Sequence, residues 1–115
     1  MNKEQYDMLK SGVNNWNKYV DENPKAVVDL RGVDLQRANL READLRGANL
    51  DYSCMNFSCK DLGQKLDDRL FYQRLYHLVK QEYNCKNNDI RQFLNLEIVK
   101  KLSNKFHMID ECGQF

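Results

Sequence analysis

A five-residue repeat is the feature that most constrains what this chain can fold into. From Val28 the sequence reads VDLRG, VDLQR, ANLRE, ADLRG, ANLDY and SCMNF, which is six units ending at Phe57. A helix turns about 100° per residue, so residues five apart do not form a stripe, and a strand places residues an odd number apart on opposite faces. Neither a helix nor a flat strand therefore accounts for the spacing.

Within each unit the first position is small or β-branched and the third is large and apolar. The first positions are Val28, Val33, Ala38, Ala43, Ala48 and Ser53, and the third are Leu30, Leu35, Leu40, Leu45, Leu50 and Met55. Both positions share one face of a short extended segment, so the chain must turn a corner every five residues for the leucines to line one interior. Asp or Asn at the second position and Gly32 and Gly47 at the corner are turn-tolerant types. The repeat predicts a solenoid with an internal leucine ladder.

The tandem A(D/N)Lxx units of residues 28–57 resemble the pentapeptide-repeat family, whose members form a right-handed quadrilateral β-helix with four units per coil. The resemblance implies about one and a half coils, in which residues that stack lie twenty positions apart. Units one and two would pair with units five and six, and the other units would have little to pair with. The segments SGVNNWNKYVDENP and KKLSNKFHMIDECGQF are similar to parts of some phage and bacterial members.

Helical patterns flank the repeats on both sides. Tyr6, Leu9, Val13, Trp16 and Val20 recur three or four residues apart, which predicts one helix over residues 3–20. Pro24 ends this segment. The lone Trp16 lies in line with the apolar face, which favours packing over the alternative of a ligand platform.

A second helical region covers residues 66–106. LDDRLFYQRLYHLVKQEY carries an apolar face, NCKNND interrupts it, and a further helical pattern follows with Asp89 as its N-cap and Asn95 as a candidate break. We expect an α+β fold in a single domain of residues 1–115. Residues 1–24 would cap one end of the coil, residues 66–106 would pack on the other end or against a second copy, and residues 107–115 would form a tail.

Charge is balanced, with 18 Lys and Arg against 17 Asp and Glu, and this excludes the field expected of a general nucleic-acid binder or of a wholesale DNA mimic. The N-terminal residues MNKEQYDMLK contain no apolar stretch like that of a secretion signal, and no run has transmembrane length. We therefore expect a cytoplasmic protein of a bacterial host cell, without a membrane partner.

The outward arginines look like a ladder only when they are read along the sequence. Residues twenty apart stack in a square coil, so Arg31, Arg41 and Arg46 point from different sides, and Asp51 stacks on Arg31. No phosphate track results, and nucleic acid is not an expected partner. Arg37 and Arg41 bracket one corner near Glu42, where a local anion site is the alternative to solvated surface charge.

The cysteines and histidines offer little chemistry. Without a secretion signal, free thiols are the favoured interpretation of Cys54, Cys59, Cys85 and Cys112, although Cys54, Cys59, His107 and Cys112 have a loose zinc-like spacing. A Cys–His nucleophile pair in FHMIDECG competes with a strap whose apolar residues pack, and His77 is a helix-face residue. The chain lacks a Gly-rich phosphate loop, G-x-S-x-G and HExxH. The sequence predicts no enzyme, no metal and no cofactor.

The predicted function is that of a non-catalytic interaction protein. The resemblance extends this to a phage- or mobile-element-encoded inhibitor of a bacterial host or defence factor. One alternative is a sponge that sequesters a small nucleotide at a protomer interface of a homo-oligomer. Others are a DNA-mimic protein that protects topoisomerase and a purely structural assembly module. The candidate binding residues are Arg37, Arg41, Tyr72, Tyr76 and His107, with Tyr83 as a further member of an exposed patch on the helices.

Overall fold

A computed structural model of the chain describes residues 1–55, 58–81 and 86–113. Its contacts divide the chain into two compact units, Met1–Asp67 and Asp68–Phe115. The single domain expected for residues 1–115 stays a prediction. No helix in the described ranges is long and apolar enough to cross a membrane.

Two helices open the first unit, α1 at Lys3–Ser11 and α2 at Val13–Glu22. The prediction of one continuous helix over residues 3–20 is wrong at Gly12, whose φ of 141° lies outside the helical region. Asn2 caps α1, since its side-chain oxygen accepts the Gln5 backbone N–H at 3.1 Å. The N-terminal segment is therefore a helical hairpin with a glycine break.

The repeat block follows with two short parallel strands, β1 at Val28–Asp29 and β2 at Ala48–Asn49. Val28 pairs with Ala48, twenty positions later. Isolated parallel bridges join Asp34 to Cys54 and Asp44 to Lys65. Since regular strand structure is confined to β1 and β2 in the described residues, the right-handed quadrilateral β-helix stays a prediction.

Pairing continues beyond the last predicted unit. Leu40 N–H donates to Lys60 O at 2.9 Å, and Leu45 N–H donates to Lys65 O at 3.0 Å. The expectation that units three and four have few partners is wrong. A short 3₁₀ turn at Cys59–Asp61 accompanies a change of the pairing offset from twenty residues to twenty-one. This shift hides the continuation from a search for strict five-residue spacing.

The interior of the first unit is the apolar ladder. The leucines at the third positions are at most 2% exposed, and Met55 is half-buried. These leucines are Leu30, Leu35, Leu40, Leu45 and Leu50. Leu9 and Trp16 from the helices are equally buried. The repeats and the helical hairpin thus form the buried core of this unit together.

The second unit is helical. Its helices are α3 at Asp68–Val79, α4 at Asn88–Asn95, α5 at Glu97–Ser103 and α6 at Ile109–Cys112. Leu96 separates α4 from α5, and its backbone is extended. This interruption of the helix lies one residue after the one predicted at Asn95.

The prediction of Asp89 as the N-cap of α4 is wrong by two residues, because Asn87 caps the helix and Asp89 lies in its first turn. Among the described residues of this unit, the buried apolar ones are Leu70, Tyr76, Val79, Val99 and Phe106. Tyr83 and Cys85 lie outside the described residues.

Candidate functional site

Two side-chain amides join the helical hairpin to the edge of the repeats. Gln5 Nε2 donates to Val27 O at 2.9 Å, and Gln5 Oε1 accepts the Asp29 N–H at 3.0 Å. Asn17 repeats this pattern between Glu42 O at 3.1 Å and Asp44 N–H at 2.8 Å. An amide with one donor and one acceptor so placed satisfies the groups that an adjacent strand would otherwise pair. The hairpin therefore covers the edge of the first repeat turn.

Trp16 is part of this cap. Its ring is fully buried, and its Nε1–H donates to Asp44 O at 2.8 Å. Tyr6 adds a bond from its hydroxyl to Asp34 O at 2.6 Å. Trp16 is thus a packing residue with its indole N–H satisfied, rather than a platform open to a ligand.

In the first five units the side chain at the second position stabilises the turn that follows it. Its Oδ1 accepts the backbone N–H two residues later at 3.0–3.2 Å. The acceptors are Asp29, Asp34, Asn39, Asp44 and Asn49. This side-chain turn explains why Asp and Asn alternate freely at that position, since either type supplies the oxygen.

Two of these aspartates also hold an arginine of their own unit. Asp29 binds Arg31 and Asp44 binds Arg46, each through Nε and a terminal guanidinium nitrogen at 2.8–2.9 Å. The hydrogen-bonded Arg31 guanidinium holds the pKa of the Asp29 carboxyl well below its usual range, and Arg46 lowers the pKa of Asp44. These arginines are neutralised locally and leave no basic track.

The structure brings only one of the two arginines of the predicted anion site, Arg37 and Arg41, to a cavity. Arg37 lines a cavity of about 350 Å³ with Lys10, and Arg41 is absent from its lining. The other residues that line it are Leu9, Asp34, Gln36, Ala38 and Asn39. Within the described ranges, the Arg41 guanidinium has no ion-pair partner.

The predicted binding residues of the C-terminal unit occupy different environments. Tyr76 is 4% exposed, stacks on Phe106 with ring centroids 4.8 Å apart, and its hydroxyl lies 2.7 Å from Gly113 O. Burial raises the pKa of Tyr76. Tyr72 is half-buried with Lys105 Nζ 5.7 Å from its ring centroid, and His107 is exposed at the edge of Phe106. Tyr76 is therefore a core residue that offers little surface to a partner.

The candidate metal ligands do not form a cluster where the structure describes them. In residues 1–55, 58–81 and 86–113, no three His, Cys, Asp or Glu side chains are grouped as a metal site would require. Cys54, Cys59 and Cys112 are exposed free thiols. His77 Nδ1 lies 2.7 Å from Gln73 O, one turn earlier in α3, as a helix-face histidine does.

Exposed apolar side chains are concentrated in the second unit. We use the name α4–α5 surface for the apolar residues Ile90, Phe93, Leu96 and Ile98 together with the cations Arg91, Lys100 and Lys101. Its apolar members are 37–57% exposed. Two cavities lie along it. One of about 730 Å³ is lined by Glu97, Ile98, Lys100, Lys101 and Asn104. The other, of about 500 Å³, is lined by Asn88, Arg91, Gln92, Asn95 and Leu96.

The sequence predicts an exposed patch on the helices, but it places that patch at Tyr72, Tyr76 and Tyr83 and not on α4 and α5. The helical period of Ile90, Phe93, Ile98 and Val99 predicts one buried face, but the structure buries Val99 and leaves the other three exposed. The signal that could have revealed it is the shortness of both helices, since a helix of eight residues with a break after it has only two turns to bury an apolar face.

The geometry defines a class of protein: a coil of short repeats capped by a helical hairpin, with a separate helical unit. The family model described as pentapeptide repeats (eight copies) matches residues 28–59, and this part of the chain is a pentapeptide-repeat block. The match indicates a non-catalytic interaction protein. Comparison with curated proteins and with solved structures found no match.

Proposed function

We propose that this protein binds a protein target without catalysis, using the repeat block as a scaffold and the C-terminal unit as the binding part. The observation that carries the proposal is the exposure of large apolar side chains on α4 and α5, which a helical unit ordinarily buries. The repeat block contrasts with it, since its ladder is buried and Arg31 and Arg46 are committed to their own aspartates.

In its finer form the proposal is a phage- or mobile-element-encoded inhibitor of a bacterial host or defence factor, acting in the cytoplasm. The resemblance of residues 11–24 and 100–115 to segments of phage and bacterial repeat proteins supports it. The DNA-mimic alternative gains no support, because a mimic needs a column of free carboxylates, and Asp29 and Asp44 are paired with arginines.

For the scaffold itself, we propose a right-handed quadrilateral β-helix. The pairing of residues twenty or twenty-one positions apart and the recurrence of one corner conformation at five-residue steps support it. A crystal structure of the full chain tests this proposal. A left-handed coil or a coil with three sides would contradict it.

An affinity pull-down from bacterial lysate, read by mass spectrometry, tests the function. We expect one host protein to be enriched over beads alone and its activity to fall when the purified protein is added. The Phe93→Asp variant is the matched comparison because Phe93 is exposed. Absence of any enriched target, or chemical turnover of the target by this protein, would contradict a non-catalytic binder.

The nucleotide-sponge alternative rests on the cavity that Lys10 and Arg37 line. Two cations beside the amides of Gln36 and Asn39 are donors suited to a phosphate. In its full form this alternative places the ligand between protomers of a homo-oligomer. At a hundredfold excess over a micromolar affinity, a cyclic nucleotide would stabilise the protein by about 2.7 kcal/mol, and Lys10→Ala would reduce this gain. A thermal-shift screen without any stabilisation contradicts this alternative.

A further inference from the structure

The α4–α5 surface has the composition of a docking site rather than of a solvated helix face. We propose that it binds an acidic amphipathic segment of a protein partner, with apolar residues along one side and carboxylates beside them. This inference rests on the proposed function, because it names the chemistry of the target that a non-catalytic binder would engage.

The first argument is that α4 is amphipathic and yet has no buried residue. Ile90 and Phe93 are one turn apart on the same side of α4, and they are 37% and 43% exposed. Leu96 and Ile98 continue the apolar surface across the break and are 49% and 57% exposed. The described residues thus leave between a third and three fifths of each of these four side chains open to solvent.

The second argument is the area that these residues offer. At about 200 Å² for a fully exposed large apolar residue, the four exposed fractions amount to about 150 to 400 Å² of surface, according to how much of each side chain a partner can reach. A stable interface needs about 800 Å² on each partner, a little over half of it apolar. The apolar residues therefore supply only part of a standard interface, and the charged residues around them must supply the rest.

The third argument is the state of those charges. Arg91, Lys100 and Lys101 have no ion-pair partner among the described residues, in contrast to Arg31 and Arg46 of the repeats. Lys100 and Lys101 line the larger cavity beside Ile98, and Arg91 lines the other beside Leu96. Carboxylates of a partner seated on the apolar residues would therefore reach unpaired cations on both sides.

The charges also argue against a second copy of this chain as the occupant. The two carboxylates of the region, Asp89 and Glu97, lie in the first turns of α4 and α5, where the helix N-terminus already stabilises a negative charge. Three cations against two carboxylates leave the region with an excess of positive charge, and self-pairing would place two such regions together. An acidic segment has the complementary charge, and an amphipathic helix presents apolar residues at the matching spacing.

The binding test uses the full chain and two fluorescent peptides of about 16 residues, each with leucines at positions i, i+3, i+4 and i+7. One peptide carries Glu at its remaining charged positions and the other carries Lys at the same positions. We expect fluorescence anisotropy to give a dissociation constant at least about tenfold lower for the acidic peptide, with the difference shrinking in high salt.

Variants assign the binding to the surface. Phe93→Asp and Ile98→Asp should each weaken binding of the acidic peptide by about tenfold or more, and Lys100→Glu with Lys101→Glu should reverse the preference between peptides. Leu62→Asp is the matched control, because Leu62 is 53% exposed in the first unit and should leave binding unchanged. Circular dichroism of each variant confirms that it is folded.

Four outcomes would overturn the inference. They are equal affinity for both peptides, no binding of either, binding that Phe93→Asp leaves intact, and self-association in light scattering that Phe93→Asp abolishes. Displacement of the peptide by a short single-stranded oligonucleotide at equal concentration would also reassign the surface. If Phe93→Asp and Ile98→Asp still capture the lysate target, non-catalytic binding of a protein stands, whereas the assignment of that binding to the α4–α5 surface fails. If the peptide preference holds but no target is captured, the proposed function fails and this assignment stands.

Discussion

The corner residues of the repeat share one backbone conformation whatever their type. Every described residue at this position has a φ between 61° and 77°. The six residues are Gly32, Arg37, Glu42, Gly47, Tyr52 and Gly63. The left-handed region is favourable only for glycine, so the three other residues are held there by the hydrogen bonds on either side. The sequence indicates corners at Gly32 and Gly47, whereas Arg37 shows no such preference.

Gly47 tests this conformation because a Cβ at that position would meet no atom within 4 Å. Gly47→Ala is expected to lower the free energy of unfolding by about 1–2 kcal/mol, through backbone strain alone. The measurement is urea unfolding followed by Trp16 fluorescence. Arg37→Gly should leave the free energy of unfolding unchanged or raise it, since it relieves strain at an equivalent corner. An equal loss in both variants would contradict the assignment.

The carboxyl of Asp44 predicts how the stability of the first unit depends on pH. Its pKa is lowered in the folded state by Arg46, so its contribution is present above the unfolded pKa of about 3.9 and is lost as the pH falls below that value. The free energy of unfolding should therefore decrease between about pH 5 and pH 2. Asp44→Asn should reduce this decrease, because Asn keeps the oxygen that accepts the Arg46 N–H and cannot titrate.

The control for the pH experiment is Asp7→Asn, since Asp7 is exposed on α1 and has no ion-pair partner among the described residues. It should follow the pH dependence of the unaltered protein. A profile for Asp44→Asn that matches the unaltered protein would mean that the Asp44–Arg46 pair contributes nothing to folding.

At the scale of elements, the helical hairpin shows how far periodicity reaches. The spacing of apolar residues predicts that α1 and α2 are helical and that Trp16 is packed, and the structure agrees on both. It does not predict the peptide-like hydrogen bonds of Gln5 and Asn17, because those depend on where the repeat edge lies in space. The available signal is that Gln5 is one turn before Leu9 on the buried side of α1, an unusual position for an amide.

Replacing Gln5 tests the cap. Gln5→Leu should lower the free energy of unfolding by about 1–3 kcal/mol, because Val27 O and Asp29 N–H lose their partner. Gln36→Leu is the matched control, since the Gln36 side chain is exposed, and it should change the free energy of unfolding by no more than about 0.5 kcal/mol. Similar losses in both variants would show that the amide is not a cap.

The repeat and the second unit differ in how much the sequence predicts. The ladder positions follow from the residue pattern, because each buried leucine has the same local geometry. The continuation of the pairing to Lys65 cannot be predicted from that pattern. One extra residue before Lys65 disrupts the five-residue spacing, while the backbone pairing persists. The α4–α5 surface is missed for another reason: apolar periodicity marks a face that contacts something and does not say whether that partner belongs to the chain.

At the scale of the whole molecule, the single-domain prediction has a direct test. Trp16 is the one tryptophan of the chain and reports on the first unit alone. The circular dichroism of helices reports on both units, since α1 and α2 lie in the first and α3, α4 and α5 in the second. Because a unit as small as Asp68–Phe115 buries little surface by itself, we expect both signals to give one urea midpoint. Two separated midpoints would contradict the prediction and show that the units unfold independently.

The hydrogen bonds of Gln5 and Asn17 have a consequence for how such a chain can vary in length. Apart from the Tyr19 hydroxyl within the hairpin, the hydrogen-bond partners of both amides lie in residues 27–44, at the first turn of the repeat. Additional units inserted after that turn would leave every one of these bonds in place, whereas units added before Val27 would separate the hairpin from the edge that it satisfies. Lengthening of the array is therefore permitted in one direction, and the hairpin marks its starting point.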